Sequence, residues 1–354
     1  MGTQLTMLRN RIEGKWINAF AETFAMCKVA DGEVVAILSE TQSRELNVQL
    51  TELALLRLGA RPYHMVLPTP QQSQAVPIRS TGASLAVGGL KPVIDALGAS
   101  GLVVDLTVEG MLHAPEMPAI LSGGTRVLMV SNEHPEVLER LRPDAALEAK
   151  VKTGIKRLAA AKKMHVTSAA GTDLLIDVAE ARVGGVWGWC NKPGRVAHWP
   201  GGICLCFPAK GSTNGRLVLA AGDINLTFKR YLESAVTLTI VDDYVTKIDG
   251  DGVDSELMRS YFSAWDDRDA YAVSHVGWGM NPAARWDAMV MYDKRDINGT
   301  ELRAFAGNFL YSTGANEVAG RYTAGHFDLP LRHCTVTLDS ETVVSDGVLQ
   351  SDLA

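Results

Sequence analysis

The sequence has no hydrophobic run long enough to span a membrane and no excess of positive charge. None of its apolar runs reaches the ~18 residues that a membrane helix needs. Its 34 basic and 40 acidic residues give a net charge of −6, which argues against nucleic acid or an anionic membrane as the main partner. Its start shows no charged segment followed by an apolar one, so no secretory signal is expected. With 47% apolar and 21% charged residues, the composition predicts a globular, cytoplasmic protein.

Cysteine is scarce, and glycine-rich phosphate-binding motifs are absent. The five cysteines have no disulfide-framework spacing, which indicates reduced thiols. Cys204 and Cys206 lie in a segment with strand character and lack the partners of a zinc site, so we interpret them as buried apolar residues. Neither G-x-G-x-x-G after the first strand nor G-x-x-x-x-G-K-[ST] occurs, so nucleotide binding has no support.

The order of periodic segments predicts two domains. Up to residue 145, helix and strand patterns alternate, which indicates a parallel α/β sheet. Later residues are rich in strand patterns and glycine, so we predict an N-terminal parallel α/β domain over 1–145 and a β-rich α+β domain over 146–354. The predicted helices are 13–29, 43–58, 145–163 and 254–265. The predicted strands are 33–39, 63–67, 101–106, 126–130, 164–168, 173–179, 216–221, 235–241, 245–248, 288–292 and 335–338.

His326 and Asp328 form a His-x-Asp pair in a segment that has the pattern of a strand. Side chains at positions i and i+2 of a strand point to the same face, so this imidazole and carboxylate can reach one metal ion. A further histidine, His275, lies 51 residues upstream. Two histidines and one carboxylate are the set that holds non-haem Fe(II) by one face and leaves positions for substrate and O₂. The alternative is a surface strand with a polar tip, but the apolar neighbours Phe327 and Leu329 favour an oxygenase site.

Three segments, 184–206, 274–282 and 325–330, resemble blocks of the thermophilic-type (M29) metallo-aminopeptidases, where they supply a two-metal hydrolytic centre. A closer resemblance, over most of the chain, is to the related 2,5-dihydroxypyridine 5,6-dioxygenases. Ile203 stands where the peptidases have a ligand glutamate, and His275 replaces another glutamate. A peptidase-like histidine is missing from 307–311, so three hydrolytic ligands are lost or changed. Without the second metal, the clamp of two-metal hydrolysis is lost.

The resemblance implies the fold of the M29 peptidases and a single Fe(II) held by His275, His326 and Asp328. It implies an extradiol-like cleavage that converts 2,5-dihydroxypyridine and O₂ to N-formylmaleamate in nicotinate or nicotine catabolism. It also implies a homo-oligomer, because members of the dioxygenase branch form hexamers.

Three further residues are candidates for contact with substrate. The resemblance implies that His113 lies in a mobile lid, where it anchors substrate and acts as general base; the alternative is a solvated loop histidine. His198 is a candidate contact to the pyridine ring or its carbonyl oxygen, or else a structural, hydrogen-bonded histidine. Ser312 is a candidate hydrogen-bond donor to substrate. The aperiodic, Pro- and Gln-rich stretch 68–91 is predicted to be a long loop of the kind that forms lids.

Other functions remain open on the sequence alone. The first is an M29-type aminopeptidase dependent on zinc or cobalt, and Ile203 and His275 argue against it. The second is a non-catalytic binding protein on a decayed peptidase fold, against which the intact His-x-Asp pair speaks. The third is a dioxygenase of another hydroxylated N-heterocycle, because substrate choice lies in the pocket walls rather than in the metal ligands.

Overall fold

The computed structural model describes residues 11–71 and 82–354, in which helices and strands alternate at first and strands then dominate. The helices are α1 (Gly14–Met26), α2 (Glu45–Arg57), α3 (Lys91–Gly98), α4 (Met117–Leu121), α5 (Pro135–Arg140), α6 (Ala145–Ala160), α7 (Val253–Ala264) and α8 (Thr300–Ala304). The strands are β1 (Val34–Glu40), β2 (Arg61–Leu67), β3 (Leu102–Asp105), β4 (Arg126–Val130), β5 (Lys163–Ser168), β6 (Asp173–Asp177), β7 (Arg182–Val186), β8 (Val196–Trp199), β9 (Ile203–Phe207), β10 (Thr213–Leu219), β11 (Ile224–Asn225), β12 (Arg230–Tyr231), β13 (Val236–Val241), β14 (Tyr244–Asp249), β15 (Val273–Gly279), β16 (Phe309–Asn316), β17 (Arg321–Leu331), β18 (Cys334–Leu338), β19 (Glu341–Ser345) and β20 (Val348–Leu349).

The first sheet is parallel and has the strand order β2-β1-β3-β4-β8. Residues 35–38 of strand β1 are all apolar because both faces of the strand are covered there. Val35 and Ile37 pack with residues of α1 and α2, whereas Ala36 and Leu38 pack with residues of α3 and α4. The predicted parallel α/β arrangement is confirmed, and the carboxyl ends of β1 and β3 lie side by side at one edge of the sheet.

The later part of the chain forms two further large sheets. One has eight strands in the order β14-β13-β10-β6-β5-β18-β19-β20, and the other has five in the order β17-β16-β15-β9-β7. Helix α6 packs closely on β9, where a Cβ at Gly154 would lie 3.2 Å from Sγ of Cys204. The β-rich character predicted after residue 145 is confirmed, and all five cysteines are buried and free of disulfides.

The predicted domain boundary at residue 145 stays a prediction. Strand β8 pairs in parallel with β4, so a segment from the later part of the chain completes the first sheet. No helix in the described part of the chain is both long and apolar enough to cross a membrane.

The predicted helices 13–29, 43–58, 145–163 and 254–265 are confirmed by α1, α2, α6 and α7. The predicted strand 288–292 is wrong, because Trp286–Val290 is a 3₁₀ helix. Its apolar residues Ala288 and Met289 pack into a small cluster with Leu302 instead of joining a sheet. In the predicted loop 68–91, residues 72–81 lie outside the described residues, and 82–90 contain neither helix nor strand.

Candidate active site

The predicted ligands lie on two strands of the five-stranded antiparallel sheet, β15 and β17, which are separated by one strand. His275 is in β15, which is buried along its whole length, and His326 and Asp328 are two residues apart in β17. Between them runs β16, in which Ser312 pairs with Asp328 and Gly314 pairs with His326. Gly314 has φ +118°, and a Cβ there would lie 2.0 Å from the carbonyl oxygen of Gly325, so the close approach of β16 to β17 requires glycine.

Three imidazoles converge at this place. Ring nitrogens of His113, His275 and His326 all lie within 4.8 Å of one another. The ring centroids of His275 and His326 are 5.3 Å apart, and those of His113 and His326 are 5.1 Å apart. His275 and His326 are 6% and 8% exposed, so the cluster is shielded from bulk water.

Asp328 lies against two of the imidazoles. Its Oδ1 is 3.2 Å from Nε2 of His326 and 3.7 Å from Nε2 of His275. The other oxygen, Oδ2, accepts a hydrogen bond from Nε of Arg303, and the hydroxyl of Ser312 donates to Oδ1. Burial opposes ionisation, but Arg303 and His326 outweigh it and hold the pKa of Asp328 well below its usual range. Asp328 is therefore a carboxylate with one oxygen directed at the imidazoles.

The donor set fits a divalent transition-metal ion. Burial lowers the pKa of His275 to about 3, so its imidazole is neutral at neutral pH, the form that binds a metal. Nδ1 of His275 and Nδ1 of His326 are buried and have no hydrogen-bond partner among the described residues. Buried polar atoms of this kind ordinarily contact water, an ion or a ligand. Imidazoles with one carboxylate suit Fe(II) and its neighbours in the first transition row.

His113 reaches the cluster from a loop of the N-terminal part of the chain, which forms the parallel sheet. It follows β3 on a loop, is half-buried, and donates its backbone N–H to the carbonyl oxygen of Gly82 at 2.6 Å. Gly82 has φ +67°, and a Cβ there would lie 3.2 Å from Cδ2 of His113. Burial, with His326 and His275 acting in the same direction, lowers the pKa of His113 to about 3. The structure therefore places a neutral third imidazole beside the predicted ligands.

His198 and Ser312, the other predicted substrate contacts, also lie at this site. His198 is in β8, and its Nδ1 is 2.6 Å from the carbonyl oxygen of Pro200. Because a carbonyl only accepts, Nδ1 carries the proton and Nε2 keeps its lone pair. Burial lowers the pKa of His198 to about 4. The charge of Arg303 also lowers this pKa, and the charge of Asp328 raises it. Ser312 is completely buried and its hydroxyl donates to Asp328, so the contact that the structure shows for it is with the carboxylate.

Sequence reasoning missed Arg303 and Phe207. Arg303, on the short helix α8, has no motif around it, and its pairing with Asp328 arises only in the folded chain. Phe207 ends β9 and meets His275 edge to face, with ring centroids 5.5 Å apart. The guanidinium of Arg182 lies 4.8 Å from the centre of the Phe207 ring. Phe207 thus offers an apolar surface beside the imidazoles and also contacts the guanidinium of Arg182.

The fold is that of the M29 aminopeptidases. The structure of AmpT from Thermus thermophilus superposes with a TM-score of 0.65 at 14% sequence identity, covering 95% of this chain and 99% of AmpT. At that identity the likeness establishes the architecture alone.

The chain belongs to the 2,5-dihydroxypyridine 5,6-dioxygenase family, whose model matches residues 15–351. The 2,5-dihydroxypyridine 5,6-dioxygenase of Pseudomonas putida KT2440 is 37% identical over 332 residues, which are 93% of this chain and 94% of that protein. The solved structure of 2,5-dihydroxypyridine dioxygenase from Pseudomonas putida KT2440 superposes with a TM-score of 0.89 at 35% identity. That superposition covers 95% of this chain and 97% of the other. The predicted membership in this family is confirmed.

Proposed function

We propose that this protein is an Fe(II)-dependent dioxygenase that opens the ring of 2,5-dihydroxypyridine between C5 and C6. The observation that carries the proposal is the convergence of His275, His326 and Asp328 in a chain of this family. Both atoms of O₂ enter the product, N-formylmaleamate, so the reaction balances without another oxidant or reductant. The family resemblance implies that this reaction belongs to nicotinate or nicotine catabolism.

His275, His326 and Asp328 are the residues proposed to hold Fe(II). They supply two imidazole nitrogens and one anionic oxygen, a set that leaves further positions for substrate and O₂. When bound, Fe(II) supplies a Lewis acid for the substrate hydroxyl and an electron-transfer path between the ring and O₂. Arg303 and Ser312 orient the Asp328 carboxylate through hydrogen bonds to its two oxygens.

His113 is proposed to act as the general base and as an anchor for the substrate. Its imidazole is neutral and lies next to the metal-binding residues, so it offers a lone pair to the proton of a ring hydroxyl. His198 offers the lone pair of Nε2 as a second hydrogen-bond acceptor, and Phe207 offers an apolar edge to an aromatic ring. A direct contact between Ser312 and substrate stays a prediction, because the Ser312 hydroxyl already bonds to Asp328.

The residue at the position of a peptidase metal ligand does not support the aminopeptidase alternative. Ile203 is 2% exposed in β9 and offers no donor atom to a second metal ion. A dioxygenase for another hydroxylated N-heterocycle remains the second candidate, since the residues that hold the metal do not select the ring. Assembly as a homo-oligomer and a cytoplasmic location stay predictions.

The test is reconstitution with Fe(II) under anaerobic conditions, followed by addition of 2,5-dihydroxypyridine and O₂. Substrate absorbance and oxygen uptake are followed together, with Zn(II)-loaded protein as the control. Consumption of one O₂ per ring opened, with iron and not with zinc, is the expected result. A protein that holds iron and takes up no oxygen with this substrate contradicts the proposal, and other hydroxypyridines are then tried.

A further inference from the structure

Asp105 holds the chain segment that leads to His113, residues 107–113. It is the last residue of β3 and is completely buried. Oδ1 of Asp105 accepts hydrogen bonds from the backbone N–H and the hydroxyl of Thr107, at 2.9 and 2.7 Å. Oδ2 accepts from the backbone N–H of Met111 at 2.7 Å. Both carboxylate oxygens are thus bonded to the beginning and the middle of the segment that ends in His113.

Glu40 holds the same segment from the neighbouring strand. It is the last residue of β1 and is 4% exposed. Its Oε1 accepts from the hydroxyl of Ser84 at 2.7 Å and from the backbone N–H of Val108 at 3.3 Å. Ser84 in turn donates its backbone N–H to the carbonyl oxygen of Gly110 at 2.8 Å. Glu40 therefore ties segment 107–113 to the stretch that contains Ser84.

The packing below the segment leaves it little room to shift. Met111 and Ala114 are buried in the same apolar cluster as Leu38. Gly110 has φ +81°, and a Cβ there would fall 2.0 Å from Sδ of Met129. Burial raises the pKa of Asp105 to about 6 against the opposing effect of its hydrogen bonds, which shows that placing a carboxylate here is costly. Two buried acids at the ends of β1 and β3 stabilise a core less than apolar residues would, but their carboxylates bind several backbone N–H groups.

We propose that Asp105 and Glu40 are positioning residues for His113. Asp105 acts through Thr107 and Met111, and Glu40 acts through Ser84 and Val108. Together they hold the backbone that places the His113 imidazole 5.1 Å from that of His326, centre to centre. This inference rests on the proposed role of His113 in turnover. It adds to that proposal the reason why a loop histidine stands at a defined place beside the metal-binding residues.

The first test measures backbone hydrogen exchange by mass spectrometry in the metal-free full-length protein. Asp105→Asn replaces one acceptor oxygen by a donor, and Glu40→Met removes both acceptor oxygens of Glu40 but keeps a side chain of similar length. We expect amides in 107–113 to exchange about tenfold faster in either variant, the factor for one lost hydrogen bond. Asp254→Asn is a matched control, because Asp254 is also buried and accepts from two backbone N–H groups and one hydroxyl. Unchanged exchange in 107–113 in the Asp105 and Glu40 variants overturns the proposal.

The second test is a double-mutant cycle on turnover of the iron-loaded enzyme. If Asp105 acts through His113, Asp105→Asn lowers kcat about tenfold in the wild-type background and has no further effect in His113→Ala. Iron content stays at the wild-type level in all variants, because none of the proposed ligands changes. Equal losses of kcat in both backgrounds overturn the proposal, since they show that Asp105 acts on something other than His113.

The two tests separate this inference from the proposed function. A wild-type protein that holds iron without consuming O₂ contradicts the proposed function, and the exchange of 107–113 still decides whether Asp105 and Glu40 hold the segment. If Asp105→Asn does not fold, Thr107→Val and Ser84→Ala remove one hydroxyl each from the same contacts. Faster exchange in 107–113 in these variants supports the proposal, and exchange equal to that of the wild type overturns it.

Discussion

Arg303 forms an ion pair with Oδ2 of Asp328, and the other oxygen of that carboxylate faces His326 and His275. Asp328 is 4% exposed, so without a partner its charge would be poorly solvated. The pair keeps Asp328 ionised and leaves one of its oxygens on the side where the imidazoles converge. Arg303 thereby prepares the carboxylate for a cation that it does not itself contact.

The first prediction follows from this pair. Arg303→Met removes the guanidinium but keeps a long side chain, and it leaves Asp328 as a buried charge without its main counter-ion. Breaking a buried ion pair in this way costs about 3 kcal/mol, so we expect a loss of that order in the free energy of unfolding of the metal-free protein. Urea unfolding at neutral pH measures it.

The control for this prediction is an exposed ion pair of the same type. Arg285 and Asp287 form one at the surface, with contacts of 2.7 and 2.8 Å, and Arg285→Met is expected to change stability by well under ~1 kcal/mol. Adding Asp328→Leu to Arg303→Met should restore most of the lost stability, because the unpaired charge is then gone. A double variant as unstable as Arg303→Met would show that lost packing, and not lost charge, causes the effect.

The second prediction concerns which residues bind the metal. The imidazoles of three histidines lie close together. We nevertheless expect Asp328 rather than His113 to complete the ligand set, because Asp328 is buried, ionised and paired with Arg303. His275→Ala, His326→Ala and Asp328→Ala are each expected to lose Fe(II) affinity by more than the ~10²-fold typical of changes in supporting residues. His113→Ala is expected to bind Fe(II) as the wild type does. Anaerobic titration with Fe(II) measures all four.

His165→Ala serves as the control for these histidine variants. His165 is partly exposed and forms a hydrogen bond with Asp173, away from the cluster. Its removal should change neither Fe(II) affinity nor turnover. If His113→Ala loses Fe(II) while Asp328→Ala keeps it, the ligand set is three imidazoles, and the carboxylate has another role.

The third prediction separates binding from chemistry at His113. With Fe(II) bound, His113→Ala should lower the rate of ring opening by ~10²-fold or more, the usual contribution of a general base. Single-turnover mixing with O₂ measures the chemical step without product release. His113→Gln, which keeps hydrogen-bonding groups but not the basic nitrogen, should be as slow as His113→Ala. A wild-type rate in His113→Ala would make this histidine a bystander.

Local rules of the sequence predicted the pair in β17, because the i, i+2 geometry of a strand is independent of the rest of the fold. His326 and Asp328 therefore appear on one face as expected. The alternation of helix and strand patterns is also a local signal of the sequence, and it predicted the parallel sheet. Local rules could not show the approach of His113 to these residues, because it depends on how one sheet is placed against another; only the family resemblance implied it.

Arg303 and the segment 288–292 are two further features that the sequence could not predict: a contact that was missed and a strand that does not form. Arg303 reaches Asp328 across 25 residues of chain, and no spacing rule marks an arginine as the partner of a distant carboxylate. In 288–292, the apolar pattern is typical of a strand, but Ala288 and Met289 lie in a 3₁₀ helix and pack in an apolar cluster. Short apolar runs are ambiguous between the two outcomes until the neighbours are known.

The last prediction concerns Asp223, a buried carboxyl outside the candidate site. It is 3% exposed and accepts hydrogen bonds from the backbone N–H groups of Ala220 and Arg332, each at 2.8 Å. Burial raises its pKa to about 6, so the folded protein binds this proton more tightly than the unfolded chain, whose aspartates titrate near ~3.9. The contribution of Asp223 to stability is therefore greatest in acid and declines as the pH rises from about 4 to about 6.

Asp223→Asn removes this titration, and comparison with the wild type isolates it from the other carboxylates. The raised pKa, at ~1.4 kcal/mol for each pH unit, means that the wild type should lose about 2 kcal/mol relative to the variant between pH 4 and pH 7. Urea unfolding of both proteins across that range measures the difference. A difference that stays constant with pH would show that Asp223 has the same pKa in the folded and the unfolded chain, and that the two backbone N–H groups offset its burial.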